Sequence, residues 1–172
     1  MAQVEQGVAS IASQLGGIDL LINNAGVGDF GSFEDMPVET WEKVMKVNLF
    51  GVYYVAKAAL PYLKQNKEGD IVNVASTAGL KGGPNMSAYC ASKAAVISLS
   101  QSLMAELRKF NIRVITLTPS TIATDMSIEG KLTDGNPEKV LQPEDFAEWV
   151  RDILKMNRRA MIASASIFST NP

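Results

Sequence analysis

A fold of alternating helices and strands around a parallel sheet is predicted for this chain, and three observations carry the prediction. Ile18–Asn23, Ile71–Ser76 and Val114–Pro119 are short runs dominated by apolar residues, the pattern of strands buried on both faces. Stretches long enough for helices separate them, as crossovers between parallel strands require. Each run also leads into small or polar residues: Asn24-Ala25-Gly26 after the first, Ser76 closing the second, and Thr124 beyond Pro119 after the third. One rim of one sheet therefore collects the chemistry, where open α/β sheets bind their ligands.

The elements follow in chain order. Val4–Leu15 is a helix closed by Gly16-Gly17, since glycine suits the left-handed residue after a helix end. Pro37 suits a first helical turn, and Glu39 and Glu42 suit its positive end, so a helical stretch runs from Pro37 to Gln65. Its part Val47–Leu60 is apolar on nearly every side and must be covered on both faces. The sheet covers one face; a second subunit or other parts of the same chain cover the other. After the strand at 71–76, an Ala/Ser-rich helix spans Ser87–Phe110, with small residues suited to close helix contact. Beyond Pro119 the chain reads as irregular through Gly130, Gly135 and Pro137. The 125–141 segment is longer than the ~12 residues of ordinary connectors, which admits a substrate-covering loop beside a plain surface connector. Pro143-Glu144-Asp145 opens an amphipathic helix whose apolar set is Phe146, Trp149, Val150, Ile153 and Leu154. A last strand is expected at Ala160–Ala165, followed by the tail Ile167–Pro172. Residues 1–172 read as a single domain without repeats.

Composition narrows the function. At 172 residues and a net charge of −2, nothing suggests nucleic acid or an anionic membrane as partner. A single cysteine, Cys90, excludes an internal disulfide and suits a reducing, cytoplasmic compartment. With no histidine, His-based triads and the commonest zinc sites are excluded, and no metal site is predicted. No apolar run reaches the ~18 residues of a membrane span, and no signal-peptide pattern opens the chain.

Tyr89 and Lys93 are the most informative pair. Four residues apart on a helix, they lie on one face, one turn above the other. A tyrosine hydroxyl titrates near ~10 in water; an ammonium close by favours the phenolate and is expected to lower that value toward a range useful for proton transfer. Tyr and Lys also meet at this spacing on many exposed helices, so the pair counts only together with the strand ends.

Together these motifs carry a resemblance. Asn23-Asn24-Ala25-Gly26, Asn48 within Val47-Asn48-Leu49, Ser76 placed 89 − 76 = 13 residues before Tyr89, the Tyr89-x-x-x-Lys93 pair, and Pro119 with Thr124 resemble the classical short-chain dehydrogenase/reductases. The likeness runs over nearly the whole chain and is strongest to members of the 3-oxoacyl-acyl-carrier-protein reductase type. It implies an oxidoreductase moving a hydride between a nicotinamide cofactor, NADP somewhat before NAD, and a small carbonyl or alcohol substrate. It implies catalytic roles for Asn48, Ser76, Tyr89 and Lys93, with Asn48 holding a water of the proton relay. It implies cofactor contacts from Asn24, Ala25, Gly26, Tyr89, Lys93, Ile122 and Thr124, and a homo-oligomer formed through helices 37–65 and 87–110. Ser120 stands where glycine usually follows the proline.

The family's opening strand, glycine-rich turn and helix have no counterpart here: neither Gly26, Gly28 and Gly31 nor Gly79, Gly82 and Gly83 open a helix in the required way. The resemblance thus implies an incomplete Rossmann-like, doubly wound parallel sheet lacking its first strands and that turn, with Ile18–Asn23 left as an apolar edge. A non-catalytic fragment that only self-associates or pairs with intact subunits is the alternative to the enzyme.

Overall fold

The computed structural model describes residues 1–170; of the expected tail, Asn171 and Pro172 lie outside the described residues. Four strands, β1 (Leu20–Asn23), β2 (Gly69–Val74), β3 (Ile112–Pro119) and β4 (Ser164–Ile167), form one sheet in the order β1-β2-β3-β4. All three pairings are parallel. The parallel sheet with alternating helices expected from the sequence is therefore observed, and its interior strand β3 is buried along all eight residues.

Helices cover both faces because side chains alternate along each strand. On one face α1 (Ala2–Leu15), α3 (Gly51–Leu63) and α4 (Ser87–Leu107) bring Val8, Ala59, Leu63 and Leu107 onto Ile71, Ile112 and Val114. On the other, α6 (Pro143–Lys155) lays Val150 and Ile153 on Val72, Ile115 and Leu117. β1 pairs only with β2, and Leu20 and Ile22 remain 41% and 44% exposed, the apolar edge foreseen.

Three expectations need correction. The 37–65 helix is interrupted: α2 (Val38–Met45) and α3 are joined by a π turn at Lys46–Phe50, one residue inserted into an otherwise α-helical run. The 125–141 segment is not wholly irregular, because Asp125–Glu129 forms a short helix, α5. Thr124 and Ser127 cap its start reciprocally, each side chain accepting from the other's backbone N–H. Finally, β4 lies at Ser164–Ile167 rather than Ala160–Ala165. Its place is set by Thr116–Pro119 opposite and by Thr118, whose Oγ1 bonds the Ala165 carbonyl and Ser166 Oγ.

Two buried polar sets tie this frame together. Asn23 Nδ2 donates to Asn73 Oδ1 (2.8 Å), Asn73 Nδ2 donates to Ser100 Oγ (2.8 Å), and Ser100 Oγ donates to the Val96 carbonyl. That chain links β1, β2 and α4. At the opposite end of the strands, Asp70 receives Arg113 through both carboxylate oxygens (2.6 and 2.9 Å) and Arg158 at 3.1 Å. Arg113 also donates to the Leu154 and Met156 carbonyls, closing the end of α6.

Candidate active site

The C-terminal ends of β1, β2 and β3 open into a cleft of about 680 Å³. Asn24, Gly26, Ser76, Tyr89, Lys93, Ile122 and Thr124 all line it. Residues brought from four separate segments thus converge. Ala25 is exposed and outside the lining, and Asn48 lies behind it, 1% exposed.

Ser76 follows the end of β2 and caps the 3₁₀ turn Thr77–Gly79. Its Oγ accepts the Ala78 N–H at 3.1 Å, which leaves the hydroxyl proton available to an oxygen in the cleft. The turn sits against α4 so closely that a Cβ at Gly79 would lie 2.7 Å from the Lys93 carbonyl carbon and 2.8 Å from Ala94 N. Gly79 is therefore what allows Ser76 to approach the Tyr89 and Lys93 face. Gly79→Ala is expected to cost about 1–3 kcal/mol by overpacking, read by urea unfolding, with amide shifts at Ser76 and Ala78; an unchanged midpoint would show that the two segments are free to separate.

Lys93 is 5% exposed, and its Nζ donates to the Val74 carbonyl at 2.9 Å. That is its one hydrogen bond among the described residues, whereas an ammonium carries three donors. Burial lowers its pKa to about 8. Gly26 adjoins it: a Cβ there would stand 3.5 Å from Lys93 Nζ and 3.3 Å from Asn48 Oδ1.

Burial carries a stability consequence. Between pH 8 and 10.5 the unfolded lysine holds a proton that the folded one has released, so stability attributable to Lys93 rises with pH across that window. Below it, the buried ammonium destabilises the fold, because burial disfavours the charged form. Lys93→Met is expected to raise the pH 7 unfolding free energy and to flatten its rise between pH 8 and 10.5. Parallel stability–pH curves for the two proteins would contradict this.

Tyr89 corrects one expectation. Its hydroxyl is raised, not lowered: burial dominates, the Ser76 side chain offsets part of the effect, and the Cys90 thiol adds to it. Lys93 is not among the influences on it; its ammonium lies 5.6 Å from the ring centroid, and its own proton is weakly held.

Asn48 occupies the π turn, and its side chain brackets the loop after β1. Oδ1 accepts Val27 N–H (2.8 Å), while Nδ2 donates to the Val27 carbonyl (2.9 Å) and to Ser92 Oγ (3.0 Å). Ser92 Oγ in turn donates to the Tyr89 carbonyl at 2.8 Å. The asparagine therefore ties the Gly26 loop to the helix that carries Tyr89. Farther on, Ser127 Oγ donates to the Ile122 carbonyl at 2.6 Å and fixes the segment between β3 and α5.

Sequence reasoning missed Phe30. Its ring meets Tyr89 edge to face, with centroids 5.8 Å apart at 67°. A lone aromatic between Gly28 and Gly31 was the available signal.

The family described as short chain dehydrogenase matches residues 1–134. A Xanthobacter autotrophicus protein named inactive 2-(S)-hydroxypropyl-CoM dehydrogenase 2 is 36% identical, covering 99% of this chain and 79% of that protein. The 3-oxoacyl-[acyl-carrier-protein] reductase of Thermotoga maritima is 38% identical over 80% of this chain and 53% of its own length. Among solved structures, the closed form of serine dehydrogenase complexed with NADP+ superposes with a TM-score of 0.88 at 29% identity, covering 96% of this chain and 71% of that one.

Proposed function

We propose that this chain, which belongs to the short-chain dehydrogenase family, interconverts a carbonyl and an alcohol in the cleft at the sheet rim, with Tyr89 moving the proton. The observation that carries the reading is Lys93: a nearly buried ammonium with donors left over, beside a glycine and facing a tyrosine. A group rich in hydroxyl acceptors, such as the ribose of a dinucleotide, fits those donors. When bound, a nicotinamide dinucleotide supplies the hydride in reduction and receives it in oxidation.

Each residue has a physical task. Tyr89 gives its hydroxyl proton to the carbonyl oxygen in reduction and removes it in oxidation. Ser76 donates to the same oxygen and stabilises charge as it develops there. Lys93 would hold ribose hydroxyls. Asn24, Gly26 and the backbone of Ala25 would hold the adenosine side, and Ile122 and Thr124 the nicotinamide side. Asn48 positions this corner; because its amide is engaged by Val27 and Ser92, a relay water at this position rests on the main chain of the π turn.

NADP is proposed ahead of NAD, supported by the NADP+ complex among the structural relatives. A 3-oxoacyl thioester is the proposed substrate type, supported by the likeness to the acyl-carrier-protein reductase. We place the protein in the cytoplasm as a single-domain homo-oligomer joined through α2–α3 and α4. Exposed Phe50 and Tyr53 on the first of these support an interface, and no described helix is long and apolar enough to cross a membrane.

The non-catalytic alternative is favoured by the relative whose name calls it inactive, and by the lack of a glycine-rich turn opening a helix among the described residues. A polypeptide of these residues alone is expected to hold the pyrophosphate weakly, since each missing bond to a charged acceptor removes about 1.5–3 kcal/mol. Acetoacetyl-thioester-dependent oxidation of millimolar NADPH and NADH decides between the readings. Slow thioester-dependent oxidation supports the enzyme, whereas oxidation indifferent to the thioester supports the alternative.

A further inference from the structure

We infer that Phe30 is the specificity-determining residue of this cleft, a rigid wall beside Tyr89 that limits the substrate to a carbonyl with one small flank. The inference rests on the carbonyl–alcohol reading above and extends it to substrate shape.

One contact and two close approaches of glycine backbone place the ring. Tyr89 receives it edge to face at 5.8 Å. A Cβ at Gly28 would lie 2.7 Å from Phe30 Cζ, and one at Gly130 would lie 2.6 Å from Phe30 Cε2. Two glycines from segments far apart in sequence thus leave room for one ring, and a side chain at either would drive it from its place. Met86 and Met126 line the same cleft, and their unbranched thioethers reshape to fit what enters, whereas the Phe30 ring does not. Discrimination beside Tyr89 therefore falls to the ring. Because that wall stands at Tyr89, the substituent on the Phe30 side of the reacting carbonyl is the one whose bulk is limited, while the other substituent is free to vary. Among the described residues no carboxylate or guanidinium lines the cleft; the charged groups in its lining are Lys93 and Lys81. The class is therefore a ketone, or the matching secondary alcohol, with one short flank, a class that includes the acetoacetyl thioester of the reading above.

The test has two parts, one independent of cofactor and substrate. Gly28→Ala is measured by thermal unfolding in the natural sequence and in a Phe30→Ala background. A loss of several degrees that disappears once Phe30 is gone supports the fixed wall; an equal loss in both overturns it. Acetophenone and isobutyrophenone, which differ only in the size of one flank, are then titrated in the presence of NADP+ and followed by saturation-transfer NMR. Phe30→Ala should raise the affinity ratio of isobutyrophenone to acetophenone about tenfold or more, the discrimination typical of a methylene in an apolar pocket. Phe30→Leu, which keeps apolar bulk, should raise it less. An unchanged ratio with both ketones bound overturns the specificity role alone. Absence of ketone binding in every variant overturns the carbonyl reading and this proposal with it.

Discussion

Tyr89→Phe is expected to lower turnover by about 10²–10⁴-fold, the usual contribution of a positioned acid–base group. Binding of the dinucleotide should be nearly unchanged. The substitution removes one oxygen from a half-buried ring and keeps the Phe30 contact and the Ser92–Tyr89 backbone bond, so the loss belongs to chemistry rather than folding. The pH dependence follows from the direction of the shift. Burial holds the hydroxyl above its ordinary value, so at neutral pH it carries the proton that reduction needs and lacks the vacancy that oxidation needs. Alcohol oxidation should therefore keep rising with pH through the alkaline range, while ketone reduction is flat near neutrality. Steady-state rates in both directions check this. A Tyr89→Phe protein with unreduced turnover would assign the proton to another group.

Asp70→Ala is expected to destabilise the fold by about 3–5 kcal/mol, the cost of leaving a buried charge without its partner. The side chains of Asp70 and Arg113 are 13% and 7% exposed, and Arg113 has both carboxylate oxygens of Asp70 as acceptors. Removing Asp70 leaves Arg113 between β2, β3 and the end of α6 with the Leu154 and Met156 carbonyls as its hydrogen-bond acceptors among the described residues and Glu68 as a more distant counter-charge. Replacing both residues, as Asp70→Leu with Arg113→Met, should cost less than Asp70→Ala alone, because no buried charge then lacks a counter-charge. Urea unfolding of the variants gives the coupling directly. Additive losses would show that the pair is solvated and of little weight.

The two substitutions mark what the sequence made legible. Tyr89, Lys93 and Ser76 could be found because helix spacing and strand ends are local patterns. Asp70 and Arg113 could not: they meet through the register between β2 and β3, and nothing local to either residue announces the other. The chain Asn23–Asn73–Ser100 has the same origin, although a polar residue inside an apolar strand was a signal that such a partner existed. The π turn at Lys46–Phe50 escaped because one inserted residue barely disturbs the helical pattern of a stretch that is apolar on nearly every side. Helix α5 was legible in the pair Thr124 and Ser127, whose spacing suits a reciprocal cap. β4 was displaced because side-chain type does not separate 160–163 from 164–167, each with one isoleucine, so pairing with β3 chose the later residues. The expected lowering of Tyr89 failed for a physical reason. Spacing brings Lys93 to the right face, but the same burial that encloses the pair weakens the lysine's hold on its own charge.

The central claim is that Lys93 and Gly26 form the seat of a nicotinamide dinucleotide. Titrating NADPH, and separately NADH, into the isotope-labelled protein and following the amides of Gly26, Ser76 and Lys93 tests it most directly. The account predicts saturable shifts at these residues and their neighbours on the rim, with weaker binding in Lys93→Met despite its greater stability at pH 7. Shifts confined to other surfaces, or no response at Gly26 and Lys93 up to millimolar dinucleotide, would contradict it.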